Sequence, residues 1–445
     1  MSLAQDQGKR TFLHLLVNTL LVSVINFTVW FAITFYVYLQ TRSVFATGMV
    51  AGVFLVATAG TGIWFGSLVD HHRKKTVMQV SAAISLALYV VCFAIYQLTP
   101  HEQFTDVGSV MLWLFILLLM AGVIAGNIRS IALMTLVTAL FPEDRRDRAN
   151  GLVGTTSGVS FLVTSVISGL LVGVGGMFYV LLLALVVLAL ALVHLALVPV
   201  PVHHVAPVRE EGATTIDVRG TLRVIRSVPG LLALIAFSCF NNFLGGAFMA
   251  LLDAYGLSLM TVQAWGLLWG VLSTGFIVGG LLVAKTGLGR NPVRLLLLLN
   301  LVLWAVTLTF PLDESVILMS VGLYVYMLLV PYAEASEQTI LQKVVPYERQ
   351  GRVFGFAQSL EQSAAPLTAF IVGPLTQFVT IPLMTTGAGA EAIGGWYGTG
   401  PERGMALVFT LAGVAGVIVT TIAFNSRQYR QLSATYANAP DPKPA

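Results

Sequence analysis

Pro142-Glu143-Asp144-Arg145-Arg146-Asp147-Arg148-Ala149-Asn150-Gly151 returns 204 residues later as Pro346-Tyr347-Glu348-Arg349-Gln350-Gly351-Arg352-Val353-Phe354-Gly355, with the proline, two arginines and the glycine in register. The same offset pairs Gly169 with Gly373 in the apolar stretch that follows each copy. Each copy is a charged corner between two long apolar runs, and both corners fall on the same side. The chain therefore reads as two related halves in parallel orientation, with their symmetry axis normal to a membrane.

Outward from these corners, apolar runs long enough for a helix to cross hydrocarbon occur at 12–39, 45–69, 75–98, 109–140, 148–173, 177–199, 230–252, 262–284, 293–310, 316–343, 350–378 and 404–425. Composition agrees: 57% of the 445 residues are hydrophobic and only 10% are charged. A soluble domain carries about 25% charged residues to cover its surface. The 42 glycines suit close packing of spanning helices. Cys92 and Cys239 both sit inside apolar runs and read as small packing residues rather than a disulfide or metal framework. Lys9 and Arg10 precede a first run that lacks a short signal-peptide core and cleavage site, so an uncleaved span is expected.

With twelve spans and both termini on one side, nearly all the 24 Lys and Arg collect on that side. The exceptions are Arg42 and Arg403 opposite and Arg129 within a span. By the positive-inside rule the basic side is cytoplasmic. The net charge of +4 then reflects membrane orientation, not a nucleic-acid partner. The expected organisation is a six-helix half at 1–199, a cytoplasmic linker at 200–229, and a second six-helix half with its tail at 230–445. In the linker, Pro199, Pro201 and Pro207 predict irregular chain. Beyond them Val218, Leu222 and Ile225 share a helical face beside Arg219, Arg223 and Arg226, a spacing for a short helix on the anionic inner leaflet or in solvent. The Gly-rich outer stretch 379–403 reads as a flexible connector.

Between the second and third spans stands Gly66-Ser67-Leu68-Val69-Asp70-His71-His72-Arg73-Lys74-Lys75. A degenerate second copy, Gly280 to Ala284-Lys285 with Arg290 and Arg294 beyond, follows the eighth span. The first loop resembles the signature of the major facilitator superfamily: Gly, three residues, Asp, then a basic cluster. His71 and Arg73 depart from it, standing where Arg or Lys and Gly are usual. The resemblance covers essentially the whole chain and implies an all-α membrane fold of twelve helices in two parallel six-helix halves. It also implies a gate in which Gly66, Asp70, Arg73 and Lys74 meet Arg148 or Arg352 of a helix start. The other reading of Asp70 is a cap on the third helix.

Within that superfamily the chain looks like the drug and siderophore exporters, and Arg349 to Gly355 is especially similar to the enterobactin-exporter group. The antiporter motif of the fifth span is partial. Gly154, Gly158 and Gly169 are present, but no Gly-Pro pair stands near Thr164-Ser165, and Gly373-Pro374 does not replace it.

Ionisable groups cost at least ~3 kcal/mol each in mid-membrane and by default mark a pathway. Arg129, Glu334, Glu337 and Glu361 lie about 14–20 Å from the basic side at 1.5 Å per residue, near the midplane. The interiors of the third, sixth, ninth and twelfth spans carry no charge; in the family these face lipid. Glu334 and Glu337 share a helix face. Two such carboxylates in a low dielectric do not ionise together easily, which suits proton coupling. Glu334, Glu361 and Glu337 are therefore the candidate proton-coupling groups. Arg129, Asn26, Trp30, Tyr36, Asn241 and Asn242 are candidate substrate contacts, fitting cationic amphiphiles by cation–π and weak hydrogen bonds. Structural alternatives are an ion pair of a glutamate with Arg129, and interfacial anchoring by the aromatics.

No nucleotide loop, HExxH or His/Cys metal cluster is present in the sequence, so an enzyme or ATP-driven pump is disfavoured and no cofactor is expected. The expectation is a monomeric, proton-coupled efflux antiporter in a bacterial plasma membrane, with both termini cytoplasmic. A proton-coupled importer, a uniporter, a siderophore exporter or a membrane receptor would share much of the pattern.

Overall fold

A computed structural model of the protein describes residues 3–41, 44–200, 218–260 and 262–440. In chain order the helices are α1 (Leu3–Thr41), α2 (Val44–His71), α3 (Lys74–Leu98), α4 (Val110–Leu140), α5 (Glu143–Gly175), α6 (Met177–Leu197), α7 (Val218–Ser227), α8 (Leu231–Leu259), α9 (Val262–Thr286), α10 (Pro292–Thr309), α11 (Val316–Val344), α12 (Gln350–Leu375), α13 (Ile381–Thr385), α14 (Ala388–Tyr397), α15 (Pro401–Asn425) and α16 (Arg427–Asn438). The twelve expected spans correspond in order to α1–α6, α8–α12 and α15. Among the described residues, eleven of these are long and apolar enough to cross a membrane. The twelfth, α5, opens on Glu143-Asp144-Arg145-Arg146 and carries exposed apolar residues, Leu170 and Val174, toward its other end. It packs against α1, α9 and α11.

Side-chain oxygens start several helices by accepting otherwise orphaned backbone N–H groups: Ser109 from Leu112, Asn291 from Arg294, Ser315 from Leu318, and Ser426 from Tyr429. Outward faces are apolar. On α6, Leu190, Val193 and Leu197 are exposed, while Ala184, Leu188 and Ala191 are buried. That inversion of the soluble pattern suits a helix whose outer solvent is hydrocarbon.

Packing shows how the halves meet. One core cluster draws on both halves at the end that carries the basic loops, joining Phe12, Val69 and Leu136 to Ile340, Val345 and Val353. Toward the opposite end the cores separate. Tyr36, Tyr89 and Phe115 belong to a cluster of the first half alone, and Tyr255, Phe310 and Phe409 to one of the second half alone. The halves are thus fused at the basic end and independently cored at the other.

Two expectations from the sequence are corrected. Stretch 379–403 is not a flexible connector. A π-helical turn (Thr376–Thr380) leads from α12 into α13 and α14. Arg403 is buried beneath them and donates to the carbonyls of Tyr397, Pro311 and Leu312. An arginine can tie three chain segments this way because its fork of donors satisfies several carbonyls at once. The helix at 218–227 forms, but its apolar side faces protein: Ile225 is buried in the joint core against α8 and α12, and Arg219, Arg223 and Arg226 are exposed. The linker residues Pro201, Pro207 and Arg209, together with Arg42 and Lys443, lie outside the described residues.

Candidate functional site

A cavity of about 720 Å³ lies between the halves. Its walls come from α1, α4, α5, α8, α9, α11 and α12, and none of the described lining residues belongs to α3, α6, α10 or α15. The two walls differ in chemistry. The first half contributes hydroxyls and aromatics, with Thr19, Ser23, Phe27 and Phe31 at four-residue spacing on α1. Thr156, Ser157, Ser160 and Thr164 continue the hydroxyl surface on α5. The second half contributes the charges and most carboxamides. Glu334, Glu337 and Gln338 on α11 face Gln358, Glu361 and Gln362 on α12, with Asn242 of α8 beside them.

Each of those two triplets repeats the i, i+3, i+4 spacing that puts three side chains on one helical face. Glu337 accepts a hydrogen bond from Ser238 Oγ at 2.5 Å and lies within hydrogen-bonding range of Glu361. Carboxylates without a proton only accept, so a carboxyl–carboxyl contact needs one proton between the two groups. Glu334 is exposed to the cavity. No Lys or Arg stands among the described lining residues.

Several predicted contacts lie elsewhere. Arg129 is not on the cavity wall: its guanidinium donates to the Met78 carbonyl at 2.9 Å and to Asn18 Oδ1, fastening α4 to α3 and α1. It does not pair with any of the three glutamates. Asn26 accepts from Tyr89 Oη at 3.1 Å and is buried against Gly126. Trp30 stacks on Phe54 with ring centroids 3.8 Å apart. Tyr36 is buried among Tyr96, Phe104 and Phe115. Asn241 accepts from Trp304 Nε1 at 2.7 Å, tying α8 to α10. Of the six expected substrate contacts, Asn242 alone lines the cavity. The sequence reading missed Ser238 and the Gln-Glu-Gln face of α12. The repeated i, i+3, i+4 spacing of carboxyls and amides would have revealed the face, whereas Ser238, a lone hydroxyl on α8, carries no such signal.

The basic end is closed by two helix seams. At the first, Asp70 at the end of α2 accepts from the backbone N–H groups of Gly351 (2.6 Å) and Arg352 (2.8 Å) at the start of α12. Its carboxylate is buried, with Arg352 Nε 3.9 Å away. The aspartate therefore caps a helix of the other half rather than α3, whose N-cap is Arg73 without a side-chain cap. His71 accepts from Arg352 Nη2 (2.8 Å), which leaves its Nδ1–H to donate to the Ser67 carbonyl (2.7 Å). Lys74 lies 5.5 Å from the centre of the Tyr347 ring. Arg73 and Arg148 are exposed and take no part in the Asp70 contact.

Glycines let these helices touch backbone to backbone. A Cβ on Gly66 would run into the Gly351 carbonyl, and one on Gly355 into that of Gly62. The second seam joins α5 to α9, where a Cβ on Gly280 would lie 2.5 Å from Thr155 N and one on Gly151 2.6 Å from Ala284 N. There Asp147, at the start of α5, accepts from Leu288 N at 2.8 Å. Gly287 makes this possible with φ 71°, a left-handed turn that aims the following N–H at the carboxylate. Between the seams, Asn150 bonds Thr339 and Gln342, and Lys343 pairs with Glu143.

Twelve long helices around a central polar cavity, with one end latched between halves, define a polytopic helical membrane protein of the transporter kind. A family model described as Major Facilitator Superfamily matches residues 15–369, and the chain belongs to that superfamily. Among solved structures it is similar to the human organic anion transporter TETRAN, at 13% identity and TM-score 0.69 over 93% of this chain and 99% of that one. A bacterial homologue of the iron transporter ferroportin in an outward-facing state gives 16% identity and TM-score 0.68 over 94% and 100%. The proton:xylose symporter XylE gives 13% and 0.63 over 96% and 100%. No curated protein sequence matches it significantly.

Proposed function

We propose that this transporter exports amphiphilic organic cations in exchange for protons. The carrying observation is the cavity's charge: three carboxylates and no lysine or arginine among its described lining residues. An uncompensated acidic chamber in low dielectric favours a cation and disfavours an anion. Phe27, Phe31, Trp269 and Phe276 supply aromatic surface for the apolar part of such a substrate. In this reading the membrane is a bacterial plasma membrane and the basic end is cytoplasmic. The state described is then closed to the cytoplasm, and the cavity communicates with the outside. Substrate loads in the opposite state, after the α2–α12 and α5–α9 seams part, and a monomer suffices.

The test is lumenal pH in proteoliposomes holding an imposed proton gradient, read on adding ethidium. Ethidium-dependent proton movement by the wild type, absent when Glu334, Glu337 and Glu361 are all changed to Gln, is the expected outcome. Wild-type proteoliposomes that move no protons with ethidium would overturn the reading.

A further inference from the structure

The three cavity glutamates occupy unlike surroundings. Glu337 and Glu361 meet where α8, α11 and α12 converge, with Ser238 donating to Glu337 at 2.5 Å. Glu334 stands three residues away on α11, exposed to the cavity and outside the Ser238 contact. The groups facing the pair are Glu334 itself and the Cys239 thiol of α8, with the Tyr326 hydroxyl near Glu334. None is a cation. The pair is thus built to hold one proton between two carboxyls, while Glu334 offers an open carboxylate.

Resting on the antiport reading above, we infer that the glutamates divide the work: the Glu337–Glu361 pair, positioned by Ser238, carries the coupling proton, and Glu334 receives the cationic group of the substrate. One positive charge then replaces another within a single cavity. Glu334 and Glu337 are neighbours on one helix face, so their Cβ atoms lie about 5–6 Å apart. At about 6 Å and an effective dielectric near 20, a bound cation and the stored proton oppose each other by roughly 100-fold in affinity. By reciprocity each expels the other. The proton also sits on the helix that bears the latch. Glu361 lies ten residues from Gly351, about 15 Å along α12 from the Asp70 contact. Loading or emptying the pair is therefore transmitted along the element that opens the basic end.

The experiment separates binding, exchange and coupling in purified, reconstituted full-length protein, each variant first checked for a monodisperse elution profile. Ethidium affinity is measured against pH by fluorescence, ethidium exchange at equal pH on both sides, and uphill ethidium transport under a proton gradient. Glu334→Gln is expected to weaken ethidium binding at least tenfold. Glu361→Gln and Glu337→Gln, which mimic the proton-loaded pair, are expected to bind ethidium with the weaker affinity of that state at every pH, so losing the pH dependence of binding. Both are expected to lose uphill transport more than tenfold while exchange at saturating ethidium persists. Ser238→Ala, which leaves every carboxylate in place, is expected to move the midpoint of that pH dependence while retaining exchange, a displacement that a merely structural serine would not produce. Retained binding in Glu334→Gln, or exchange lost together with coupling in a well-folded Glu361→Gln, overturns the division while leaving the antiport reading intact. A wild type that binds ethidium without releasing protons overturns both.

Discussion

At the α2–α12 seam the aspartate comes from the end of the entering helix: Asp70 reaches across to the first turn of α12. At the α5–α9 seam the geometry is turned round. Ala284 stands where the repeat would place an aspartate, and Asp147, the counterpart of Gly351, reaches from the first turn of α5 to the loop after α9. Both seams use glycine to bring backbones together, and both end in a carboxylate holding backbone N–H groups of the other half. What the symmetry preserved is the chemistry of the contact, not the residue that provides it. The first latch is buried and accepts two N–H groups, where charge-assisted hydrogen bonds contribute about 1.5–3 kcal/mol. The second accepts one across the seam, its other oxygen taking the N–H of the adjacent Arg148, so the two seams should open with unequal ease.

The strongest way to break both seams alike is to fill them. Gly66→Val and Gly280→Val meet backbone atoms that cannot withdraw, so each should cost about 3 kcal/mol or more of closure. Spin-label distances across the basic end should lengthen. Gly60→Val, on the same α2 where a Cβ meets nothing within 4 Å, should leave them unchanged. Next comes Asp70→Asn, which keeps the shape but loses the charge at a helix N-terminus. It should cost about 2 kcal/mol, a ~30-fold shift toward opening at the basic end. Asp147→Asn should cost about half that energy, and equal effects would refute the ranking of the two latches.

The reversal itself can be tested by Ala284→Asp. Alone it places a second carboxylate near Asp147 and should weaken closure by about 1 kcal/mol. Combined with Asp147→Gly it restores the pattern of the first seam, and closure should return to within about 0.5 kcal/mol of wild type by the same distances. The smallest effect is expected from Tyr436→Ala. The Tyr436 ring lies 4.4 Å from Lys343 Nζ, which pairs with Glu143 of the first half. Losing that contact should cost about 0.5–1 kcal/mol and raise cysteine accessibility at the basic end slightly.

The helix count, the common side of the basic loops and the Asp70 latch were legible in the sequence because each rests on local spacing: apolar runs of membrane length, clustered charge, and Gly-x3-Asp before a basic corner. The three glutamates were legible because charge in an apolar run stands out. Which polar side chains of α1 and α8 face the cavity was not legible. On α1 the cavity stripe is Thr19, Ser23, Phe27 and Phe31, while Asn26 and Trp30 lie on another face. Both stripes satisfy helical periodicity, and only packing against Tyr89 and Phe54 selects between them. Arg129 misled for a related reason: a buried arginine held by Asn18 and a backbone carbonyl gives the same sequence signal as one waiting for an anion.

The short helix α16 lies against α10, α11 and α15. Leu432 packs on Gly230 at the start of α8, Ser433 accepts from Asn291, and Tyr436 covers Lys343. Helix α16 is consequently a working part of the closed end, and a position directly after it is a poor one for an affinity handle or a fluorescent reporter. A bulky fusion following Asn438 that prised α16 away would expose the Lys343–Glu143 pair and shift the closing equilibrium before any substrate was added. An assay of this transporter should carry its label at a position other than the C-terminal helix, or include an untagged control.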